Sequence, residues 1–171
     1  MSAQAVRNAR PPRPARSPAP PLPAMEALDQ THHRMLEVLK DLDRMLAVLE
    51  RDGVSAAARE SAREICSFFD DHARKHHAAE EAHVFPALLR NADATLAQHI
   101  QRLQQDHGWL EEDWIELEPQ LKAVAEGYSW YNLDELRHGV GVFTALYTDH
   151  IALEESLIYP LARKLEKPSA K

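Results

Sequence analysis

Only one cysteine, Cys66, stands in the 171 residues. An internal disulfide framework and any cysteine-built zinc or iron–sulphur site are therefore excluded. Glycines number just five, and no stretch alternates apolar and polar residues long enough to suggest strands. No apolar run approaches the roughly 20 residues that cross a bilayer, so no membrane partner is expected. The N-terminus carries arginines without an apolar segment, which is not the pattern of a secretory signal. Basic residues are outnumbered, 20 Lys and Arg against 27 Asp and Glu, for a net charge of -7. That balance speaks against nucleic-acid binding, which normally shows a basic face. The expectation is a soluble cytoplasmic protein, with chain enough for one domain and a real core. Histidine is the residue in excess: there are ten, and where they fall carries the functional argument.

Residues 1–24 hold Pro11, Pro12, Pro14, Pro18, Pro20, Pro21 and Pro23 with Arg7, Arg10, Arg13 and Arg16. Such a segment buries too little to offset its ordering entropy, and a disordered tail is expected. The folded domain is expected over 25–171. From Met25 to Lys167 only Pro86, Pro119 and Pro160 interrupt a helical composition. A first helix is predicted from Met25 to Arg51, stopping at Asp52-Gly53. A second starts after Ser55 as N-cap and runs to about Asn91, bent or interrupted at Pro86. A third runs from near Asp93 to before Gly127, with a kink at Pro119. A fourth starts after Asn132 as N-cap, with Asp134 and Glu135 in its first turn, and ends near Glu166. Four long helices with short links predict an all-α, up-down-up-down four-helix bundle.

Each helix carries an apolar seam broken near its middle by polar residues. The first reads Met25, Leu28, His32, Met35, Leu39, Leu42, Leu46, Leu49, and the third Ile100, Leu103, His107, Leu110, Trp114, Leu117, Leu121, Val124. The second offers Ile65, Phe69, His72, His76, Glu80, His83, and the fourth Phe143, Leu146, His150, Glu154, Leu157. The strongest signal is a repeat. His76-His77-Ala78-Ala79-Glu80-Glu81-Ala82-His83-Val84-Phe85-Pro86 matches His150-Ile151-Ala152-Leu153-Glu154-Glu155-Ser156-Leu157-Ile158-Tyr159-Pro160. On a helix, positions four apart differ by about 40° in azimuth and about 6 Å in rise. His76 with Glu80, and His150 with Glu154, therefore point the same way into the bundle. Two imidazoles and two carboxylates at a core seam cost several kcal/mol unless paired or bound to a cation. Histidines and carboxylates drawn from four helices are the donor set with which bundles hold di-iron or di-manganese. His32 and His107 complete four histidines, with Glu80 and Glu154 able to bridge.

His33 competes with His32, but steps of three and four from His33 meet Leu36, Lys40, Asp43, Ala47 and Glu50, which is no core, so His32 is chosen. Glu111, four after His107, is a candidate further ligand or one member of the exposed Glu111-Glu112-Asp113 run. His72 and His83 lie on the second helix's seam as candidate outer donors or as the lining of an access path. His77 falls 100° off that seam and is expected to be exposed. Tyr147, one turn before His150, is expected to bond to the site or to pack. His99 and His138 have no partners in the pattern, and Cys66 reads as a small core residue.

These residues resemble the hemerythrin-like, HHE cation-binding domain family. The resemblance rests on His32, the His76-x3-Glu80 pair, His107 and the His150-x3-Glu154 pair, and covers about residues 25–167. It implies a bundle around a non-haem di-iron centre, usually oxo-bridged, with His32, His76, His107 and His150 as terminal ligands and Glu80 and Glu154 as bridges. Manganese fits the same donor types. The oxygen-carrying members have His-x3-His on the third helix and His-x4-Asp on the fourth, where this chain has His107-x3-Glu111 and His150-x3-Glu154. The pattern is closer to bacterial members associated with oxidative and nitrosative stress, without the Cys-Cys module that iron–sulphur repair proteins usually add. Expected ligands are O2, NO or peroxide. The readings are a binding or sensing module, an enzyme turning over peroxide or NO with Glu111, Tyr147 or His72 as proton donor, and a bundle whose metal only stabilises the fold.

Overall fold

The computed structural model describes residues 25–166. The expected disordered tail over 1–24 lies outside them. Four helical rods follow one another, and no strand occurs among the described residues. We number them α1 (Met25–Asp52), α2 (56–89), α3 (Ala94–Glu126) and α4 (133–166). α1 and α3 each pack against both α2 and α4. Links of a few residues turn each rod back along its predecessor, which gives the expected up-down-up-down bundle.

The rod ends follow from capping chemistry. The Ser55 hydroxyl accepts from the Ala58 N–H at 3.3 Å, and the Asp93 carboxylate from the Leu96 N–H at 2.8 Å. The Asn132 side chain accepts from the N–H groups of Asp134 and Glu135. Gly53 and Gly127 stop α1 and α3 at φ 63° and 90°, a backbone region open to glycine without steric penalty.

The prolines lie within the rods. Pro119 sits within one continuous α3. It is exposed, so the carbonyl left without its donor is free to meet water. Pro86 and Pro160 do not end their rods. Each follows a wider π turn, Glu80–Val84 in α2 and Glu154–Ile158 in α4. There the Phe85 N–H bonds to the Glu80 carbonyl, and the Tyr159 N–H to the Glu154 carbonyl, five residues back. A proline inside a regular helix removes one bond and clashes with the carbonyl four residues earlier, at about 3 kcal/mol. A turn that already reaches five residues back relieves that clash. A third π turn, Phe68–Ala73, lies earlier in α2.

The core has two apolar parts. The larger includes Leu39, Leu42, Leu46, Phe69, Leu110, Trp114, Leu121 and Phe143. The smaller joins Met25, Leu28, Val84, Phe85, Ile100, Leu103, Ile158 and Tyr159. On each rod the polar seam residues fall between the two.

Candidate metal centre

Six of the seven candidate residues come together. His32, Glu80 and Glu154 are 0% exposed, His150 1%, His76 4% and His107 8%. α1 supplies His32, α2 His76 and Glu80, α3 His107, and α4 His150 and Glu154. Their donor atoms form two overlapping groups. One donor atom each from His32, His76, Glu80 and Glu154 lies within 4.8 Å of the others, and the same holds for His107, His150, Glu80 and Glu154. Both groups contain both carboxylates.

The imidazoles face inward through Nε2. His32 Nε2 lies 3.0 Å from His76 Nε2 and 3.1 Å from a Glu154 oxygen. His150 Nε2 is 3.2 Å from that same Glu154 oxygen. Glu80 reaches His76 Nε2 at 3.3 Å with one oxygen and His107 Nε2 at 3.5 Å with the other. Each carboxylate thus touches imidazoles of both groups. Three of the outward Nδ1 atoms face further acids, and that of His76 has no partner. His32 Nδ1 is 3.2 Å from Glu155, and His107 Nδ1 is 3.0 Å from Glu81. His150 Nδ1 faces buried Asp106 at 3.8 Å. A carboxylate behind an imidazole fixes the tautomer that presents Nε2 forward, the usual support of a metal-binding histidine. The doubled glutamates of the repeat therefore divide their work. In both copies the first enters the cluster, and the second holds the histidine of a neighbouring rod.

Burial alone would push the Glu80 carboxyl up, but the facing His107 and His76 imidazoles and the hydrogen bond from the Tyr159 hydroxyl hold it well below the usual carboxylate range. Burial pulls the His150 imidazole down, and the charge of Glu154 with the Asp106 contact outweighs it, lifting it to about 9. His77 is driven well down by burial and by the neighbouring His107 and His150.

Several placements depart from the sequence expectations. Glu111 is not brought into either group; it pairs with Arg74 near the surface. His77, expected to be exposed, turns inward. Its ring stacks on His107 at 4.1 Å, and one of its nitrogens joins His107 and His150 within 4.8 Å. His72, expected on the seam, is exposed against Phe68. Through and past the π turn at Phe68–Ala73 the buried face runs Phe69, Ala73, His76 and Glu80, which leaves His72 outside it. His83 is half-buried, with no partner on its Nδ1. His33 faces outward and bonds to the Asp29 carbonyl. Tyr147 packs, its ring against Phe69, Phe143 and His77.

Two buried residues were missed. The Tyr159 hydroxyl donates to Glu80 at 2.6 Å and lies 3.0 Å from His32 Nε2. Its signal was its place in the repeat, opposite Phe85. Asp106 is 1% exposed; beside His107 it read as one more polar residue, and nothing in its spacing sets it apart.

Whether this cluster suits a cation is settled by its unmet donors. Glu80 Oε2, both Glu154 oxygens, and Nε2 of His107 and His150 are sealed from water without a hydrogen-bond partner. Buried carboxylate and imidazole atoms left so are costly, and a divalent or trivalent cation satisfies them together. The sequence pattern of the hemerythrin HHE cation-binding domain matches residues 24–162. The chain belongs to that family. This hemerythrin-family chain is also similar to an uncharacterized protein of Haemophilus influenzae, 32% identical over 132 residues, covering 77% of this chain and 74% of the other. No solved structure matches. The family and the buried cluster together make this a metal-binding protein.

Proposed function

We propose that this hemerythrin-family protein binds or senses a small oxidant, O2, NO or peroxide, at a carboxylate-bridged di-iron centre. His32 and His76 would hold one iron, and His107 and His150 the other. Glu80 and Glu154 would bridge them, since each carboxylate reaches imidazoles of both groups. That sharing is the observation that carries the reading. A di-iron pair supplies reversible redox chemistry and open coordination positions; the chain's own residues do the rest. Glu155 and Glu81 orient the imidazoles of His32 and His107, and Asp106 faces that of His150 at 3.8 Å. The two apolar clusters keep bulk water from the donors.

An opening of about 10 Å³, lined by His77, Glu111, Trp114 and Tyr147 among others, borders the cluster only through His77, whose ring stacks on His107. The large groove of about 740 Å³, at Asp113, Leu117 and His138, contains no cluster residue. Turnover of peroxide or NO at the same centre is the second reading. The Tyr159 hydroxyl favours it, as an O–H donor already in contact with Glu80. Of the earlier donor candidates, Glu111 is paired to Arg74 and His72 is exposed.

The test is metal analysis of aerobically purified protein with an optical spectrum before and after peroxide or NO. The expected result is two iron atoms per chain and a visible or near-ultraviolet absorption that changes on addition. Purified protein without iron, or a spectrum neither reagent alters, would overturn the proposal. Peroxide consumed faster than by free iron would select the second reading.

A further inference from the structure

We propose that the arginine- and proline-rich residues 1–24 dock on their own bundle, in the groove between α3 and α4. The inference does not rest on the metal reading and concerns a face that holds no cluster residue.

The groove has a volume of about 740 Å³. Leu117 and Val142 give it apolar surface, while Asp113 and Glu116 line it from α3 and Asp134 and Glu135 from α4. His138 is the basic side chain among them. Of the four carboxylates only Asp134 is ion-paired among the described residues, to Arg137. Burial and the charges of Glu116 and Glu112 raise the Asp113 carboxyl, as expected where like charges gather without a cation. Exposed tryptophans flank these acids. Trp109 lies four residues before Asp113 and seven before Glu116, on the same face of α3. Trp130 stands in the link just before α4.

The N-terminal residues carry the complementary pattern. Arg7, Arg10, Arg13 and Arg16 recur at every third position among prolines. A polyproline helix repeats every three residues at about 3.1 Å each, so it sets all four guanidinium groups along one side. Carboxylates take guanidinium groups in paired hydrogen bonds, and indole faces take prolines and cations. The segment also reaches. It joins the bundle at Met25, which packs with Ile158 and Tyr159. Gly139, in the groove, lies about 30 Å back along α4 from Tyr159. In a polyproline helix Arg13 stands up to about 37 Å from Met25, and Arg7 up to about 56 Å. α1 and α4 are neighbours, so the path runs over α4 alone. The other large groove, between α1 and α2, is lined by Arg34, Arg63 and His72 with one acid, Glu64, and has the wrong sign for this segment.

The test is the full chain with a benzoylphenylalanine crosslinker in place of Ala15, irradiated at low concentration and mapped by peptide mass spectrometry. The expected result is attachment within one chain, concentrated between Trp109 and Val142. Attachment scattered over the bundle, or only to a second copy or to another macromolecule, overturns the proposal. Asp113→Lys with Glu116→Lys should cut groove attachment at least about fivefold, since like charges then meet. Arg10→Glu with Arg13→Glu should cut it as far, and combining the two reversals should restore it, which a merely structural effect would not do. The arginine variant leaves the bundle itself unaltered, so unchanged attachment there overturns the proposal even if the α3 variant fails to fold.

Discussion

Residues 76–86 and 150–160 each set a histidine, a glutamate four places later and a proline six places after that on one helical rod. Both rods answer with a π turn starting at the glutamate. In both, the second glutamate supports a histidine on a neighbouring rod. The surroundings then diverge. Tyr159 stacks on His32 and donates to Glu80, whereas Phe85, its counterpart, stacks on His107 and offers nothing polar. His77 enters the cluster, whereas Ile151 packs among apolar residues. Two copies of one motif can therefore place their donors by the same backbone device while the rings beside those donors make the halves chemically distinct.

The shared carboxylates should erase both halves at once. Glu80→Ala is expected to take bound metal from two per chain to none, read by mass spectrometry of the purified protein. Retention of both would show that the halves do not depend on one bridge. His32→Ala and His107→Ala come next: each should lose one metal and keep the other. Loss of both from either variant would mean that the halves act only as a pair. Glu81→Gln and Glu155→Gln remove the acids behind His107 and His32. Each should weaken metal binding by roughly 10–100-fold, the usual loss for a partner behind a ligand, measured by competition with a chelator. Similar losses from the two would show the supports to be equivalent.

Tyr159→Phe makes the two copies alike at that place. It removes a 2.6 Å bond to buried Glu80 and should destabilise the metal-free protein by about 1–3 kcal/mol, read by urea unfolding. The smallest effect belongs to Cys66, which lies outside both copies in the larger apolar cluster. Burial pushes its thiol up to about 12. Its contribution to stability is therefore full below the unfolded value of ~8.5 and falls progressively from there until pH passes about 12. At pH 7 to 9 the native protein should resist thiol alkylation, and urea-unfolded protein should react fully.

The bundle was legible from three features: seams of three-and-four spacing, capping residues at Ser55 and Asn132, and Gly53 and Gly127 as stops. The convergence of His32, His76, Glu80, His107, His150 and Glu154 was legible because the repeat marked the His-Glu pairs on α2 and α4, and the apolar seam alone picked out His32 and His107. His72 was misplaced because a regular helical wheel gives every residue 100°. The π turn at Phe68–Ala73 breaks that count, and nothing in Phe68-Phe69-Asp70-Asp71 announces it. Glu111 satisfied the spacing of a donor, and Arg74 on another rod took it instead.

By itself the chain determined the four rods, the buried seams of α1 and α3, and the His-Glu pairs that lie level on α2 and α4. Those depend on local periodicity and on side chains that pay no regard to distant residues. The tertiary structure alone decided which donors share a carboxylate, that Tyr159 and His77 stand on opposite sides of the cluster, and that Asp106 backs His150. Those depend on how rods from separate parts of the chain are wound and pressed together, and a single wide turn is enough to carry a side chain from the buried seam to water.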